Sequence, residues 1–453
     1  MKFFERKIYL QLCDWKCNLA DKYAVLVEGA RRVGKTSVIR RFAENEYASS
    51  IYIDFSLKDK RTRDVRKAFE SYANIGDLLF QLKLIYETEL FEGKSCVIFD
   101  EVQLFPVARE AIKHLVAYGK YHYIESGSLV GIRENVKDIL IPSEEHRMKM
   151  YPLDFEEFLD ATGNGLLKNH IRRCFAENKG VGTGLHEQAI SLFRTYIAVG
   201  GMPQSVAAYL EGDDDSKFTE CENAKREILS LYHEDVSKYA KGYASKVRGI
   251  FRMIPSALRR HEKKFHLSEL DVNARMRRYE NAFLWLNDAM VINTAYNISC
   301  PDLTIGMSLD SSSFKCYYSD TGLLITAAMG NGHSVDPRIL RAVLHDGLGI
   351  DEGMFFENVI AQTFASKGDE LRFYSRKDRE DERNTMEIDF LLQRGIKICP
   401  VEVKSGRYRA HASLDRMIRK YRAHLGRKYV VCCGEYEQSG EIIYLPAYMA
   451  HCI

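Results

Sequence analysis

The run Gly29-Ala-Arg-Arg-Val-Gly-Lys-Thr36 decides the fold of the first part of this 453-residue chain. A short apolar stretch, residues 23–27, precedes the run, and a helical pattern through Val38, Ile39 and Phe42 follows it. A strand, a glycine-rich loop and a helix in this order form the context that a phosphate-binding loop requires. The sequence therefore predicts such a loop at residues 29–36.

The residue types of the loop suit a polyphosphate. Glycines such as Gly29 and Gly34 let successive backbone N–H groups point at the phosphates, and the following helix contributes its positive end. We expect Lys35 to contact the β- and γ-phosphate oxygens and Thr36 to place its hydroxyl on Mg²⁺. The bare pattern also occurs by chance, but its context favours ATP and Mg²⁺ as cofactors. The predicted nucleotide-binding residues of the loop are Gly29, Ala30, Arg31, Arg32, Val33, Gly34, Lys35, Thr36 and Ser37.

A second motif, Cys96-Val-Ile-Phe-Asp-Glu101, is an apolar strand that ends in two acids, the form of a Walker B segment. We expect Asp100 to hold Mg²⁺ through its water shell and Glu101 to polarise the water that attacks the γ-phosphate. An Asp-Glu pair after a strand is often an ordinary turn. Its place after a phosphate loop, in the same predicted sheet, favours the catalytic interpretation.

Residues that sense the γ-phosphate are harder to assign. The next predicted strand ends in Glu125-Ser-Gly-Ser128, and we choose Ser126 over Ser128 as the polar side chain that would face the phosphate, although Ser-Gly-Ser is also turn chemistry. Charge grows on the transferred phosphoryl group, so an arginine is expected near it. Arg147 and Arg133 are the candidates.

Composition limits the class of protein. Hydrophobic residues make up 46% and charged residues 28% of the chain, and the formal net charge is only +2. These values are typical of a soluble globular protein, and any polyanion surface would have to be local. We see neither a membrane span nor a signal peptide, and the eleven cysteines lack a metal-binding rhythm. We expect a cytoplasmic protein with reduced thiols.

Alternating strand and helix patterns up to residue 124 predict a parallel α/β sheet with helices on both faces. Helical patterns dominate from about residue 150, and the last hundred or so residues are again rich in strands. The chain resembles a large prokaryotic family of AAA+-like ATPases with a C-terminal restriction-endonuclease-like domain. The resemblance rests on the order of several motifs: the phosphate loop, Phe99-Asp-Glu-Val-Gln103, Ser126-Gly-Ser128, Tyr151-Pro-Leu-Asp-Phe-Glu-Glu-Phe158, Gly200-Gly-Met-Pro203, Tyr317-Tyr-Ser-Asp-Thr-Gly-Leu323 and Val401-Glu-Val-Lys-Ser-Gly406.

The resemblance implies four parts: a P-loop ATPase domain (1–150), a helical lid (151–235), a winged-helix-like segment (236–312) and a restriction-endonuclease-like α/β domain (313–453). Between residues 238 and 280 we count twelve basic and four acidic side chains. There, residues 266–290 resemble a helix-turn-helix, with Arg275, Arg277 and Arg278 on the second helix. Such a helix could enter a DNA groove, or it could serve only to pack domains together.

Four residues near the C-terminus form a candidate metal site. Glu357 falls in a helical pattern, Asp389 in a predicted strand, and Glu402 and Lys404 alternate in the next strand, so they share a face. Carboxylates with a nearby lysine can bind Mg²⁺ and activate water, and this set matches PD-(D/E)xK nucleases. We therefore predict Glu357, Asp389 and Glu402 as metal ligands and Glu402 and Lys404 as catalytic. Such domains can also keep the fold without cleaving.

Two hypotheses follow. In the first, ATP hydrolysis positions a nuclease-like C-terminal domain, with ATP or ADP and DNA as partners and no membrane. In the second, the chain is a slow nucleotide-dependent switch or scaffold whose C-terminal domain binds without cutting. The sequence gives no oligomeric state.

Overall fold

A computed structural model describes residues 3–129, 141–213, 216–260, 262–270, 275–301, 306–330, 352–376, 385–406 and 408–453. The chain divides into two compact units, Met1–Tyr151 with Asp288–Met290, and Pro152–Asn287 with Val291–Ile453. None of the helices within the described ranges is long and apolar enough to cross a membrane.

The first unit contains a five-stranded parallel sheet. The strands are β1 (Ala24–Glu28), β2 (Ser49–Asp54), β3 (Ser95–Asp100), β4 (His122–Gly127) and β5 (Glu145–Lys149). They pair in the order β2-β3-β4-β1-β5. The three central strands, β3, β4 and β1, are nearly continuous runs of buried residues, as expected for a parallel sheet covered on both faces. The helices are α1 (Lys7–Asn18), α2 (Lys35–Glu46), α3 (Lys60–Ser71), α4 (Ile75–Tyr86) and α5 (Pro106–Tyr118). The predicted P-loop α/β fold is confirmed for this unit.

The core of the first unit positions the motif residues. One buried cluster joins the sheet, through residues such as Leu26, Ile53 and Phe99, to α3, α4 and α5. Because all five strands are parallel, their carboxyl ends meet at one edge of the sheet, where ligands bind in open α/β folds. The phosphate loop follows β1, Glu101 follows β3 and Ser126 lies near the end of β4.

The second unit begins with helices, as the patterns after residue 150 predict. They are α6 (Phe155–Ala161), α7 (Gly165–Ala176), α8 (Thr183–Val199), α9 (Pro203–Glu211), α10 (Lys217–Tyr239), α11 (Ala244–Leu258) and α12 (Met276–Asp288). A capping box opens α6, because the Asp154 carboxylate accepts from the Glu157 N–H and the Glu157 side chain accepts from the Asp154 N–H. The expected helix-turn-helix differs in detail: Leu267–Glu269 is only a 3-10 turn, and the second helix begins at Met276.

The rest of the second unit, as far as the structure describes it, contains two mixed sheets. The strands are β6 (Ile292–Ile298), β7 (Leu309–Tyr318), β8 (Arg372–Arg376), β9 (Met386–Ile388), β10 (Phe390–Arg394), β11 (Lys397–Val403), β12 (Lys428–Cys432), β13 (Glu437–Ser439) and β14 (Ile442–Pro446). They pair in the orders β7-β6-β8-β9 and β10-β11-β12-β14-β13. The helices are α13 (Thr321–Met329), α14 (Glu352–Ser366) and α15 (Ala412–Tyr421). Asp389 stands between β9 and β10, where the chain passes from one sheet to the other. Leu414 and Met417 of α15 belong to a buried cluster with residues of both sheets.

Candidate functional site

The backbone of the phosphate loop needs its glycines. Gly34 precedes α2 with a φ of 98°, in the left-handed region that glycine adopts without strain. A Cβ at Gly29 would lie 2.4 Å from the Met150 carbonyl oxygen. Both glycines of the motif are therefore fixed by local geometry, one by its conformation and one by a close approach of backbone.

Lys35, the first residue of α2, folds back on the loop. Its Nζ donates to the carbonyl oxygens of Gly29 at 2.8 Å and Ala30 at 3.0 Å, and the side chain is buried. Burial lowers the pKa of Lys35 to about 8, although Glu101 and Asp100 partly offset this effect. The ammonium is thus held by weak neutral acceptors that the oxygens of an anion could replace with stronger charge-assisted bonds.

Asp100 is the centre of a hydrogen-bond cluster at the end of β3. The Thr36 hydroxyl donates to its Oδ2 at 2.8 Å, the Tyr52 hydroxyl donates to the same oxygen, and Ser126 Oγ donates to Oδ1. The structure therefore brings together the predicted residues Thr36, Asp100 and Ser126. Tyr52 was not predicted; its position in β2, two residues before the strand ends, was the available signal.

Glu101 occupies an unusual backbone conformation, with a φ of 53°. Such a conformation in a residue other than glycine costs energy and is concentrated at functional sites. Gln103 Nε2 donates to Glu101 Oε2 at 2.5 Å, which fixes the carboxylate. Burial raises the pKa of Glu101, with Lys35 opposing and Asp100 adding to the shift. A carboxylate of raised pKa is a better base.

Two arginines, Arg133 and Arg147, were predicted to lie near the transferred phosphate. Arg133 lies outside the described residues. Arg147, on β5, forms ion pairs with Glu28 at 3.8 Å and Glu145 at 3.6 Å. Glu145 also receives two hydrogen bonds from the buried Arg109, at 2.6 and 2.8 Å. Arg147 is therefore part of a carboxylate network beside β1, and its role as a phosphate sensor stays a prediction.

Three motifs of the second unit meet at one buried point. The Gly201 N–H donates to Asp320 Oδ2 at 2.6 Å, and the Gly201 carbonyl accepts from the Leu153 N–H at 2.7 Å. Asp320 also caps α13 by accepting from the Leu323 N–H at 2.9 Å. Gly200 has a φ of 79°. The motifs around Leu153, Gly200 and Asp320 thus hold the unit together, which the sequence pattern does not reveal.

The C-terminal acids lie in a centre that contains two unpredicted lysines. Glu357, buried on α14, accepts hydrogen bonds from Lys315 Nζ at 3.1 Å and the Tyr317 hydroxyl at 2.5 Å on Oε1, and from Lys263 Nζ on Oε2. Burial alone would raise its pKa, but Lys263 and Lys315 reverse this effect and lower the pKa of Glu357 to about 2. A lysine within the otherwise uncharged, largely apolar and aromatic run Phe314-Lys-Cys-Tyr-Tyr318 was the signal for Lys315.

The other predicted residues of this centre lie on or beside neighbouring strands: Asp389 stands between β9 and β10, Glu402 lies on β11, and Lys404 directly follows β11. Asp389 Oδ2 accepts from the Val403 N–H at 2.8 Å, and Lys404 Nζ lies 2.8 Å from Glu402 Oε1. Burial, followed by the charge of Glu357, raises the pKa of Asp389 to about 7, with Lys315 and Lys263 opposing the shift. Within the described ranges, the buried Glu402 Oε2 has no hydrogen-bond partner.

Convergence of carboxylates is the geometric test for a metal site. Among the described residues, the one set of three or more acidic, histidine or cysteine side chains with ligand atoms within 4.8 Å of one another is Asp154, Glu156 and His451. Glu156 in that set already forms an ion pair with Arg172. Glu357, Asp389 and Glu402 do not form such a set.

The basic segment presents part of its charge to solvent. Arg277 and Arg278, in the first turn of α12, are exposed, and so is Arg275, which was predicted on this helix but directly precedes it. The Arg278 carbonyl accepts from Lys246 Nζ at 2.8 Å, which adds a further cation beside these arginines. Arg260 is instead paired with Glu269. The start of α12 therefore carries an exposed cluster of positive charge.

Comparison with known families gives the class of the first unit. Residues 21–159 match a family model described as an AAA domain. Residues 190–334 and 352–449 match two models described as domains of unknown function, DUF8612 and DUF4143. A search of curated proteins gives no match. Together with the parallel sheet and the loop geometry, the first match defines an AAA-type P-loop domain at the start of the chain.

A comparison with solved structures gives matches of low identity and low TM-score. The Walker-type ATPase PABY2304 of Pyrococcus abyssi is 16% identical, with a TM-score of 0.43, and the match covers 72% of this chain and 96% of that one. The Aeropyrum pernix Orc1 protein in complex with DNA is 11% identical, with a TM-score of 0.29 and coverages of 76% and 93%. Cdc6p of Pyrobaculum aerophilum is 13% identical, with a TM-score of 0.26 and coverages of 75% and 92%.

Proposed function

We propose that this protein binds and hydrolyses ATP at the carboxyl edge of the first sheet. The observation that carries the proposal is the 2.8 Å hydrogen bond between the Thr36 hydroxyl and Asp100, because it joins the phosphate loop to the end of β3. A hydroxyl and a carboxylate at this distance, beside the start of a helix, fit Mg²⁺ bound to a nucleotide. The metal would neutralise charge on the β- and γ-phosphates.

Each residue of the site would have a separate role in binding or hydrolysis. Lys35 would exchange its bonds to the Gly29 and Ala30 carbonyls for bonds to phosphate oxygens. Glu101, held by Gln103, would accept a proton from the attacking water. Ser126 would report the presence of the γ-phosphate to Asp100 through the bond that the two side chains share.

Asp100→Asn is expected to weaken binding of ATP about tenfold or more in the presence of Mg²⁺, the cost typical of losing a group that orients a metal. Binding of ATP in EDTA should change little, since the loop and Lys35 are intact. Titration of a fluorescent ATP analogue measures both. Asp54→Asn is the matched control, because Asp54 ends the neighbouring strand in register with Asp100. An equal loss in both variants, or no loss in either, would refute the assignment.

For the C-terminal residues we propose a restriction-endonuclease-like fold. Its support is the order of elements around the carboxylates: helix α14, strands β8, β9–β10 and β11, helix α15 and strand β12. The preceding helices would form the lid. The segment with α11, α12 and the β6–β7 hairpin would be the winged-helix-like part. Nucleotide state would then control how this C-terminal domain engages nucleic acid.

The carboxylate geometry favours the second hypothesis for this domain, binding without cleavage. Glu357 has both oxygens engaged by Lys263, Lys315 and Tyr317. The exposed arginines of α12 supply a surface that fits a phosphate backbone. DNA cleavage in Mg²⁺ that disappears in Asp389→Ala and Glu402→Ala would instead establish a nuclease.

Replacing Arg277 and Arg278 together by alanine is expected to weaken DNA binding and to lower the slope of log affinity against log salt by about two, one for each lost phosphate contact. Fluorescence anisotropy with a duplex at several salt concentrations measures this slope. The control is a double alanine variant of Arg173 and Lys179, two exposed cations elsewhere in the same unit. If both double variants behave alike, α12 is not the DNA-binding surface.

A further inference from the structure

Lys315 is a fully buried cation placed among acids. Its side chain is 0% exposed, and its Nζ lies 3.1 Å from Glu357 Oε1, 3.1 Å from Glu387 Oε1 and 3.6 Å from Asp389 Oδ1. A lysine is almost never fully buried unless it is paired. Burial opposes the charged form, but Glu357, Asp389 and Glu387 more than compensate, so that the pKa of Lys315 is raised. The ammonium is therefore a permanent charge at the centre of the carboxylates.

Lys263 supplies a second cation to the same group. Its Nζ bonds the Glu357 oxygen that Lys315 leaves free, while the Tyr317 hydroxyl shares the other oxygen with Lys315. Lys263 holds a φ of 46°, a left-handed conformation that is strained for a lysine. The side chain is 20% exposed, so this contact, unlike that of Lys315, lies at the edge of solvent.

These contacts do not fit a magnesium ion held by Glu357. Mg²⁺ requires oxygen ligands at about 2.0–2.1 Å in near-octahedral geometry, several of them waters. Both oxygens of Glu357 are already engaged by protein donors, and an incoming divalent ion would meet two ammonium groups at close range. Over the described ranges, Glu357, Asp389 and Glu402 also fail to converge within 4.8 Å.

We propose that Lys315 and Lys263 take the place of the divalent ion at the Glu357–Asp389 centre, which makes it a lysine–carboxylate centre. Two ammonium groups supply the same positive charge as one divalent ion, so the buried acids are neutralised without a metal. The functional consequence of replacing the metal by lysines rests on the proposed non-cleaving role of the C-terminal domain. The experiment that tests the replacement measures metal binding alone and does not depend on ATP turnover.

The test measures Mn²⁺ binding to the full chain without nucleotide. Binding is detected as a decrease in the electron paramagnetic resonance signal of free Mn²⁺. In the wild type we expect no Mn²⁺ binding that depends on Asp389. In Lys263→Met, which removes one charge but keeps much of the length of the side chain, we expect the affinity for Mn²⁺ to rise by at least about tenfold. Lys241→Met, an exposed lysine of the same unit, should behave as the wild type. Asp389→Asn in the Lys263→Met background should abolish the gain.

Lys315→Met gives a second readout. It leaves buried acids without their cation, so its melting temperature should fall, and Mn²⁺ should raise that temperature more than it does in the wild type. Tight Mn²⁺ binding in the wild type that Asp389→Asn removes would overturn the proposal. So would the absence of any gain in Lys263→Met together with no recovery of Lys315→Met by Mn²⁺.

Discussion

Glu101→Gln is expected to lower ATP turnover by at least about 100-fold while leaving ATP affinity within about twofold of the wild type. General base catalysis contributes about 10²–10⁴-fold to a rate, and glutamine has the shape of glutamate without its basicity. The carboxylate is held by Gln103 at 2.5 Å, and burial raises its pKa, so it is positioned and tuned as a base. Steady-state phosphate release and nucleotide titration measure the two quantities.

Glu87→Gln is the matched control for this change. Glu87 also has a left-handed backbone, with a φ of 49°, but it is exposed at the end of α4. Turnover in that variant should equal that of the wild type. Normal turnover in Glu101→Gln would show that another group activates the water.

Gly201→Ala is expected to destabilise the second unit by at least about 3 kcal/mol, at the upper end of overpacking effects. An added Cβ would lie 2.1 Å from the Leu153 carbonyl oxygen and 2.9 Å from the Leu153 nitrogen. Both atoms belong to backbone and cannot rotate away. A shift of the chain there would also break the bond from the Gly201 N–H to Asp320. Urea denaturation followed by circular dichroism measures the change.

The same substitution at Gly184 separates the steric effect from the chemistry of alanine. Gly184 is exposed within α8, and nothing lies within 4 Å of a Cβ built there. Gly184→Ala should therefore stabilise the protein by about 0.5–1 kcal/mol, because alanine favours the helix. If both variants lose stability equally, the contact between Gly201 and Leu153 is not the reason for the first result.

The first unit was largely predictable from its sequence because its signals are local. A strand, a glycine-rich loop and a helix follow each other directly at residues 24–46, and the pair Asp100-Glu101 directly follows the apolar run of residues 96–99. The parallel arrangement brings these segments to one edge of the sheet. Tyr52 escaped prediction because a tyrosine within a strand usually packs in the core, and only the register between β2 and β3 places its hydroxyl on Asp100.

The second unit was harder to predict because its determining contacts join distant segments. The alternation of residues at the end of β11 predicted that Glu402 and Lys404 share a face, and Lys404, one residue beyond the strand, lies 2.8 Å from Glu402. It could not show that Lys263 and Lys315, more than forty residues before Glu357, point into the same centre. Likewise, the Gly200 and Asp320 motifs read as separate signals, although a hydrogen bond of 2.6 Å connects them. The order of the motifs along the sequence made them recognisable, but it did not show which of them are in contact.

The most direct test of the central claim is steady-state ATP turnover in Mg²⁺ by the wild type and by Lys35→Ala. Lys35 lies within the phosphate loop, is buried, and has only the Gly29 and Ala30 carbonyls as the hydrogen-bond acceptors seen for its ammonium group in the described structure. If ATP hydrolysis takes place at this loop, the wild type turns over ATP and the variant is at least about 100-fold slower, since it lacks a charge that stabilises the transferred phosphoryl group. Equal turnover by the two proteins, or none by the wild type, would contradict the account.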